Sequence, residues 1–471
     1  MNTTRMVFVA GLSWLAACTP SPTYDLVIAG GQVVDPETGF SAIAHLGITG
    51  DRIEAVSDAP LEGSRVIDAT GHVVAPGFVD LHEHGQMEDS YALMVRDGVT
   101  TALELEVGTA DVDGWYAQRA DGQLVHHGVS IGHVQIRMDV MDDPGVGLVP
   151  AGVGGYGAAT EEQIAEMEAR VREGLEEGAL AIGFGSAYTP GAEMSEIERL
   201  FAVGAEFGAS SHIHMRNGVA GLDSTITAAR NVGAPLHIVH VNSSSGTDIS
   251  TFLSMIESAQ ASGQDVTTET YPYGAGMTEI TSALFDDWES WTDDRFPMHQ
   301  LVSTGDRLDR ASFAAAREAG GMVIIHGRTE EMTATAVASP ITIIASDGVM
   351  SFGRGHPRTS GTYAKVLGQY VRDEGLLSLE SAIAKMTLMP AQRLEEWAPA
   401  FSRKGRLQVG MDADVVVFDP ESVIDRATYM DATLTSEGIP YVIVGGEVVV
   451  DGGEITDARP GRGVRAASPQ D

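Results

Sequence analysis

Two histidines two residues apart, His82 and His84, are the first side chains in this sequence whose spacing points to chemistry. They end the segment 76–84, which begins with Pro-Gly and is otherwise mostly apolar before the first histidine. Because side chains alternate between the two faces of a β-strand, both imidazoles are expected on the same face. The pattern predicts a buried strand that opens at a mouth and carries half of a metal site there.

Other histidines and carboxylates fall at the ends of other apolar runs. They are Glu104 and Glu106 in the second predicted strand, His214 in the fifth, His240 in the sixth and Asp347 after the eighth. A single buried histidine is usually only hydrogen-bonded, but two pairs of imidazoles with carboxylates form a set that binds zinc and leaves positions open for water. The sequence therefore predicts a centre of one or two Zn²⁺ ions, with His82, His84, His214, His240, Asp347 and either Glu104 or Glu106 as ligands.

The elements that would position these groups alternate between strand and helix from residue 76 to 399. Thr160 and Gln163 can form a capping box, and the helix that follows them ends before the strand that starts at residue 179. Repeated units of this kind over about 320 residues predict a parallel sheet closed into a (β/α)8 TIM barrel. The predicted strands are 78–84, 99–107, 129–134, 179–184, 209–214, 235–240, 265–271 and 341–346.

One apolar run, 322–325, is in excess of the eight strands. It falls after a stretch rich in Asp and Trp that breaks the rhythm of the barrel, so an insertion is predicted at about 279–335. In such barrels the reactive groups lie at the carboxyl ends of the strands, which is where the candidate ligands cluster.

Both ends of the chain carry short β-type runs divided by turn residues, within 24–75 and 400–456. Neither end has enough strands to bury a face alone, so we expect the two ends to pack together as one small antiparallel β-sandwich domain. The complete fold class predicted is α/β, a catalytic barrel with a β-sandwich built from both chain ends.

The first 18 residues differ from the rest. Arg5 precedes an apolar run that is too short to span a bilayer and closes in Leu-Ala-Ala-Cys18. This resembles the signal peptide and lipobox of bacterial lipoproteins, which implies a lipid anchor at Cys18 and a protein of the periplasm or cell envelope. Cys18 is the only cysteine, so no disulfide is expected within the chain.

The charge balance excludes one class of partner. With 29 Lys and Arg against 66 Asp and Glu, the net charge of −37 argues against nucleic acid. The segment 152–157 fits G-x-G-x-x-G, but Pro150 stands where a strand is required, so no dinucleotide site is expected. His126 and His127 lie in a polar connection and are expected to be solvated.

Several segments together resemble the amidohydrolase superfamily. Segments 25–31, 67–71 and 74–84 resemble its opening, and 413–414 and 444–448 its close. Within it, segments 128–137, 214–216, 271–273, 346–348 and 356–358 resemble the N-acyl-D-amino-acid deacylases (D-aminoacylases), and 102–108 is most similar to N-acyl-D-glutamate deacylases. The resemblance implies a zinc-dependent hydrolase that cleaves small N-acyl-D-amino acids, D-glutamate first, to a carboxylate and a free D-amino acid.

The sequence departs from that superfamily in the group that would bridge two metals. Many members use a carbamylated lysine, and the D-aminoacylases a cysteine, but the only lysines are Lys365, Lys385 and Lys404, and the cysteine lies in the signal. A carboxylate must take this place. Glu104 and Glu106 share a strand face, and Glu106 is preferred because it lies nearer the mouth.

The resemblance also implies roles around the substrate. Asp347 would take a proton from water and return it to the leaving amine, and Arg358 would hold the α-carboxylate. His133 and Tyr188 are expected as oxyanion or substrate contacts and Tyr271 as a pocket wall. Where the D-aminoacylases usually have a lysine this chain has Asn242.

Two questions stay open from the sequence. A glutamate side chain would need a second cation, for which Arg137, Arg216 and Arg328 are candidates. A cyclic amidase or dipeptidase of the same superfamily (like dihydroorotase, hydantoinase or isoaspartyl dipeptidase), and a catalytically silent binding protein, remain alternatives to the deacylase.

Overall fold

The computed structural model of the protein describes residues 23–351 and 353–467. The predicted signal peptide and Cys18 lie outside the described residues. Among the helices that are described, none combines the length and the apolar character needed to cross a bilayer.

The described chain contains 22 strands. They are β1 (Thr23–Asp35), β2 (Phe40–Thr49), β3 (Arg52–Ser57), β4 (Glu62–Asp68), β5 (Val73–Pro76), β6 (Phe78–Asp80), β7 (Val99–Thr109), β8 (His126–Gly132), β9 (Ile182–Gly185), β10 (Ser211–His214), β11 (Leu236–Ile238), β12 (Val266–Thr270), β13 (Ala275–Glu279), β14 (His299–Leu301), β15 (Met322–His326), β16 (Thr342–Ile344), β17 (Met350–Ser351), β18 (Arg354–Gly355), β19 (Val415–Phe418), β20 (Tyr441–Val444), β21 (Glu447–Asp451) and β22 (Glu454–Ile455).

The α-helices follow most barrel strands. They are α1 (Glu88–Arg96), α2 (Val112–Ala117), α3 (His133–Val140), α4 (Val153–Tyr156), α5 (Glu161–Glu176), α6 (Met194–Phe207), α7 (Gly218–Val232), α8 (Val241–Ser244), α9 (Ile249–Ala261), α10 (Arg310–Ala319), α11 (Glu330–Ala338), α12 (Arg358–Lys365), α13 (Leu379–Met386) and α14 (Leu388–Leu394). A π-helical turn, Val366–Asp373, continues α12.

Eight parallel strands form a nearly closed barrel in the order β6, β7, β8, β9, β10, β11, β12 and β16. Each corresponds to one of the predicted strands, so the predicted barrel is confirmed. Its first and last strands meet just beyond their carboxyl ends, where the amide of His84 donates to the carbonyl of Gly348 at 2.8 Å and that of Asp347 to His82 at 2.7 Å. The ends that carry the candidate ligands are therefore tied directly together.

Helix α5 shows how the sequence sets the outer layer of the barrel. The Thr160 side chain accepts from the amide of Gln163, and the Gln163 side chain accepts from the amide of Thr160. These bonds satisfy amides that have no partner within the first turn of the helix. From that start, Ile164, Met167 and Val171 point inward and are buried.

The excess apolar run belongs to a separate layer. Strand β15 pairs antiparallel with β13 and β14 in a three-stranded sheet, outside the barrel. This sheet begins at Ala275, a few residues before the predicted start of the insertion, and packs its own aromatic core around Phe296 and Phe313. It forms part of the wall above the carboxyl ends of the barrel strands.

Strands from both chain ends share one nine-stranded sheet, β22-β21-β20-β19-β5-β1-β2-β3, with β4 paired to β1. The expected association of the two ends is confirmed, and their apolar side chains share one core, for example Val33, Val74 and Val415. The expectation of purely antiparallel pairing is wrong, because β1 runs parallel to both β4 and β5.

The expectation that His126 and His127 are solvated is also wrong. Both are buried at the start of β8. His126 Nε2 lies 3.1 Å from Asp414 Oδ1, which links the barrel to the terminal sheet. Burial lowers the pKa of His127 to about 4, so its imidazole is neutral at physiological pH.

Candidate metal centre and active site

Six side chains from five barrel strands and the strand connections converge at the mouth of the barrel. Two groups of potential metal-ligating atoms, each within 4.8 Å, are present among the described residues: His82, His84, Glu106 and Asp347 in one, and Glu106, His214 and His240 in the other. These are the six residues that the sequence predicted. Four imidazoles and two carboxylates are a donor set that suits zinc, so the residues present fit the predicted ion.

Glu106 belongs to both groups. Its Oε2 lies 2.5 Å from His82 Nε2 and 3.4 Å from His84 Nε2, while its Oε1 lies 2.9 Å from His214 Nδ1. Oε2 is also 3.8 Å from His240 Nε2. Between them, the two oxygens of this carboxylate face all four imidazoles, so Glu106 is placed to act as a shared ligand.

Glu104 has a different position. Its Oε2 lies 2.6 Å from His84 Nδ1, on the side of the ring away from the cluster, and its Oε1 accepts from the amide of Val107 at 3.0 Å. Glu104 therefore orients His84 from behind, so that Nε2 faces the cluster.

His82 is oriented by a carboxylate that the sequence analysis did not single out. Glu269, in β12, places Oε1 2.5 Å from His82 Nδ1 and Oε2 3.0 Å from His237 Nε2. Burial alone would raise the pKa of Glu269, but the two imidazoles outweigh it and lower that pKa. The sequence signal for Glu269 was its place inside a predicted buried strand, because burial of a carboxylate costs free energy unless a partner pairs with it.

The pKa shifts of His240 and Glu106 leave each side chain in the protonation state that can bind a metal. Burial, together with the nearby His214, lowers the pKa of His240 to about 3, so its imidazole is neutral and its lone pair is available. Burial raises the pKa of Glu106, but the His214 and His82 imidazoles outweigh it and leave the pKa lowered, so this carboxylate is ionised.

Two of these residues have an unusual backbone. His240 has φ of 29° and Asp347 has φ of 51°, in the left-handed region that non-glycine residues seldom occupy. Such conformations cost of the order of 1–3 kcal/mol each and cluster at functional sites. Both residues lie immediately beyond short barrel strands, where the turn aims each side chain at the cluster.

The cluster opens into a cavity of about 890 Å³. His84, His214, His240 and Asp347 lie at its base. Its upper wall is largely apolar and comes from the small sheet, from the segment after α3 and from the segment after β16; examples are Leu148, Leu284, Met322, Ile325 and Met350. A polar floor under an apolar wall is the usual form of a small-molecule site.

Arg358, the predicted carboxylate-binding residue, is fully buried at the start of α12. Its Nη1 lies 2.7 Å from Asp347 Oδ2, and its guanidinium carbon lies 4.7 Å from the centre of the Tyr271 ring. Burial alone would raise the pKa of Asp347, but Arg358 and the neighbouring imidazoles lower it to about 2. Asp347 is therefore ionised at neutral pH.

The two predicted tyrosines lie beside the cluster. Tyr188 lines the cavity, with its ring centre 4.8 Å from that of His214, and burial raises the pKa of its phenol, which stays protonated. The Tyr271 ring is buried between His240, at 6.5 Å, and Arg358. Tyr188 is the phenol directly open to a bound ligand.

His133 is not brought to this cavity. Its ring is fully buried at the start of α3, and its Nε2 lies 2.8 Å from Glu196 Oε1, which also pairs with Arg137. The expected oxyanion or substrate contact is therefore absent from this arrangement. The glycine-rich segment 152–157 belongs to the same buried network, because its carbonyls at Gly154 and Gly157 accept hydrogen bonds from the Arg137 guanidinium.

Comparisons with known protein sequences identify a family for this chain. Residues 132–450 match the sequence model described as the Amidohydrolase family. The chain is 30% identical to the N-acyl-D-glutamate deacylase of Alcaligenes xylosoxydans xylosoxydans, over 94% of this chain and 96% of that one. It is 32% identical to the D-aminoacylase of the same organism, over 94% and 98%.

Solved structures give the same result. The N-acyl-D-glutamate deacylase of Bordetella bronchiseptica, solved with zinc and a phosphonate inhibitor that mimics the tetrahedral intermediate, superposes with a TM-score of 0.83 at 26% identity, over 94% of this chain and all of that one. A D-aminoacylase structure superposes with a TM-score of 0.77 at 28% identity, over the same shares.

Proposed function

Because the chain belongs to the amidohydrolase family and is a hydrolase of carbon–nitrogen bonds in linear amides, we propose that it is a zinc-dependent deacylase of N-acyl-D-amino acids, with N-acyl-D-glutamate as the leading substrate. The observation that carries the proposal is Glu106, whose two oxygens face both pairs of imidazoles in a chain without a lysine or cysteine at the mouth.

His82, His84, Glu106, His214, His240 and Asp347 would hold one or two zinc ions. When bound, zinc would supply a Lewis acid that activates water and polarises the amide carbonyl. The outer carboxylates Glu104 and Glu269 keep the Nε2 atoms of the two first-strand histidines facing the cluster.

In this reaction water adds to the amide carbonyl carbon and the carbon–nitrogen bond breaks. Asp347 takes the proton of the attacking water and returns it to the leaving nitrogen, which departs as the amine of the D-amino acid. Its ionised state at neutral pH allows the first transfer. Tyr188, protonated and open to the cavity, would donate to the carbonyl oxygen as negative charge develops there.

Arg358 would hold the α-carboxylate of the substrate. Its guanidinium is buried beside Asp347, and its Nε has no hydrogen-bond partner among the described residues. A guanidinium can bind a carboxylate through two parallel bonds, which fixes the α-carbon and thus the stereochemistry presented to Asp347.

The decisive experiment combines metal analysis with a panel of substrates. The purified protein, loaded with zinc, is assayed on N-acetyl-D-glutamate, N-acetyl-D-aspartate, N-acetyl-D-methionine, their L-enantiomers and hydantoin. Turnover of the D-compounds is expected, and its absence in metal-loaded protein overturns the proposal; turnover of hydantoin instead would favour the cyclic amidase. Asp347→Asn is expected to abolish turnover and to retain most of the metal.

We also propose a location in the cell envelope, with a lipid anchor at Cys18. Its support is the charged start, the apolar run and the Leu-Ala-Ala-Cys pattern of the first 18 residues. Expressed in a Gram-negative host, the protein is expected in the membrane fraction, and Cys18→Ser is expected to lose that association. Equal partition of both forms would contradict the anchor.

A further inference from the structure

Two arginines, Arg216 and Arg328, line the cavity above the metal centre. Among residues 23–351 and 353–467, both guanidiniums donate only to carbonyl and hydroxyl oxygens, and neither forms an ion pair with a carboxylate. In a chain with a net charge of −37, two guanidiniums without an acidic partner in one cavity are unusual. They are therefore candidates to meet an anionic group of the substrate.

Arg216 is already engaged by the fold. Its Nη1 donates to the carbonyl of Thr189 at 2.8 Å, and its Nη2 donates to that of Ala192 at 2.5 Å. These bonds hold the segment after β9 and use the ends of the guanidinium. Arg137, the other candidate from the sequence, is buried against Glu196 and does not reach the cavity.

Arg328 uses fewer of its N–H donors within the fold than Arg216 does. Its Nη2 donates to the Tyr271 hydroxyl at 2.8 Å and its Nη1 to Ser243 Oγ at a long 3.5 Å, both neutral acceptors. Its Nε is buried and has no partner among the described residues. A guanidinium has five N–H donors, and those of Arg328 contact only two neutral hydroxyl groups. Its remaining donors can therefore bind an anionic group of a ligand.

The local backbone keeps space open around Arg328. Gly276, in the strand that faces it, has no side chain, and a Cβ there would lie 3.2 Å from Arg328 Nη2 and 3.1 Å from the Tyr271 hydroxyl. Glu279 also lines the cavity, three residues after Gly276 in the same strand, so the Cα atoms of these two residues are about 10 Å apart by the rise of a β-strand.

Arg328 and Arg358 contact the same aromatic ring. Their guanidinium carbons lie 5.6 and 4.7 Å from the centre of the Tyr271 ring. Arg358 is the one next to the metal-facing Asp347, and Arg328 is the one on the cavity wall. A substrate whose α-carboxylate meets Arg358 would direct a second carboxylate, carried by its side chain, toward Arg328.

We propose that Arg328 binds the side-chain carboxylate of an acidic N-acyl-D-amino acid and so sets the preference for acidic over neutral substrates. This inference rests on the proposed deacylase function and names a specificity-determining residue of the same site.

The test compares N-acetyl-D-glutamate with N-acetyl-D-methionine, whose side chain has a similar length and no charge. Charge-assisted hydrogen bonds are worth roughly 1.5–3 kcal/mol, so Arg328→Gln is expected to lower kcat/KM for the glutamate substrate by roughly 10- to 100-fold, mainly through KM. The value for the methionine substrate is expected to change by less than about 3-fold. Arg328→Lys keeps the charge and is expected to recover part of the loss.

The matched control is Arg307→Gln. Arg307 is exposed and donates to the carbonyl of Pro297. It shares with Arg328 a repulsive effect on the nearby His326 imidazole, whose pKa is lowered to about 4 chiefly by burial and further by both arginines. This variant removes the same charge from the same region without touching the cavity, and is expected to leave both substrates unaffected.

Three outcomes are distinguishable. Equal losses on both substrates in Arg328→Gln, or no loss on either, overturn the role of Arg328 and leave the deacylase function standing. Inactivity of the wild type on every D-substrate overturns the function instead. In that case calorimetry still tests the role of Arg328 by comparing the affinity of wild type and Arg328→Gln for N-acetyl-D-glutamate. Weaker binding by Arg328→Gln would support the inference, and equal affinities would contradict it.

Discussion

The Arg358 guanidinium lies 2.7 Å from the carboxylate of Asp347, so one ion pair joins the residue proposed to hold the substrate to the residue proposed to move the proton. The pair lies deep in the barrel mouth, where little solvent screens it, since Arg358 is fully buried. Removal of either partner therefore affects the chemical state of the other.

Arg358→Gln should move the acid limb of the pH–kcat profile. Arg358 is the strongest of the influences that lower the pKa of Asp347 to about 2 against the opposing effect of burial. Without the guanidinium that pKa rises, so the active, ionised form is lost at a higher pH, by roughly 1–3 units. Assays at saturating substrate with measured zinc content check this, and an acid limb that stays in place would contradict the assigned pairing.

Glu106 and Glu104 should behave differently when each is changed to glutamine. Glu106→Gln removes the charge of a proposed ligand that faces both pairs of imidazoles, so zinc per chain is expected to fall by at least one ion. Glu104→Gln only alters the orientation of His84, so the stoichiometry should hold while affinity weakens. Elemental analysis after dialysis compares the two, and the reverse pattern would make Glu104 the bridge.

Glu269→Gln should weaken metal binding although Glu269 is not among the proposed ligands. Its carboxylate lies 2.5 Å from His82 Nδ1 and fixes the tautomer that exposes Nε2. The expected loss of affinity is roughly 10- to 100-fold, measured by competition with a chelating dye. Glu395→Gln removes another paired carboxylate, one bound to Arg406 at 2.8 Å, and serves as the control that should keep wild-type affinity.

The sequence predicts the barrel, and the residues that converge at its mouth, because both depend on local patterns. Barrel strands are apolar runs, and the proposed ligands lie at or just beyond their ends, so His214 and Asp347 could be located without any distance information. The proposed bridge could be narrowed to Glu104 and Glu106 because no Lys or Cys is available at the mouth, and the two oxygens of Glu106 face His82 and His214.

Features that depend on which segments meet across the fold could not be predicted. His133 was predicted to contact the substrate because its neighbours in sequence resemble a family motif. In the structure its imidazole instead pairs with Glu196, which lies 63 residues away in sequence. His126 was predicted to be solvated because its own segment is polar. In the structure it is buried and pairs with Asp414 from the other end of the chain. In both cases the partner is distant in sequence, and no local pattern indicates it.

The apolar upper wall of the cavity predicts a preference for longer acyl groups. Leu284, Met322 and Ile325 face the cavity above the metal centre, so methylenes that reach them leave water. Complete burial contributes about 0.8 kcal/mol per methylene, which sets an upper limit of about 4-fold in kcat/KM for each one added. N-acetyl, N-butanoyl and N-hexanoyl forms of one D-amino acid test this, and a flat or falling series would show that the acyl group lies elsewhere.

The ion pair between the barrel and the terminal sheet should make stability fall in acid. Asp414 is buried, 2.7 Å from Lys404 Nζ and 3.1 Å from His126 Nε2. Burial would raise its pKa, but these cations outweigh it and hold the pKa far below the value near 3.9 of an unfolded chain. The pair therefore contributes stability above about pH 4, and the contribution is lost as the pH falls further.

Asp414→Asn should accordingly destabilise the protein at neutral pH, because it leaves the buried Lys404 with only the Asp412 carboxylate, at 3.2 Å, and removes the partner of His126. The cost should stay below the roughly 3–5 kcal/mol of a buried charge that loses every partner. Below about pH 4 the difference in melting temperature from the wild type should shrink, because the unfolded wild-type chain takes up a proton on Asp414 while the folded state keeps this carboxylate ionised. The matched control is Asp265→Asn, which breaks an ion pair with Arg393 on a half-exposed aspartate and should cost no more than about 1 kcal/mol. Thermal melts from pH 3 to 8 measure both, and parallel curves for wild type and Asp414→Asn would contradict the assigned charge on Asp414.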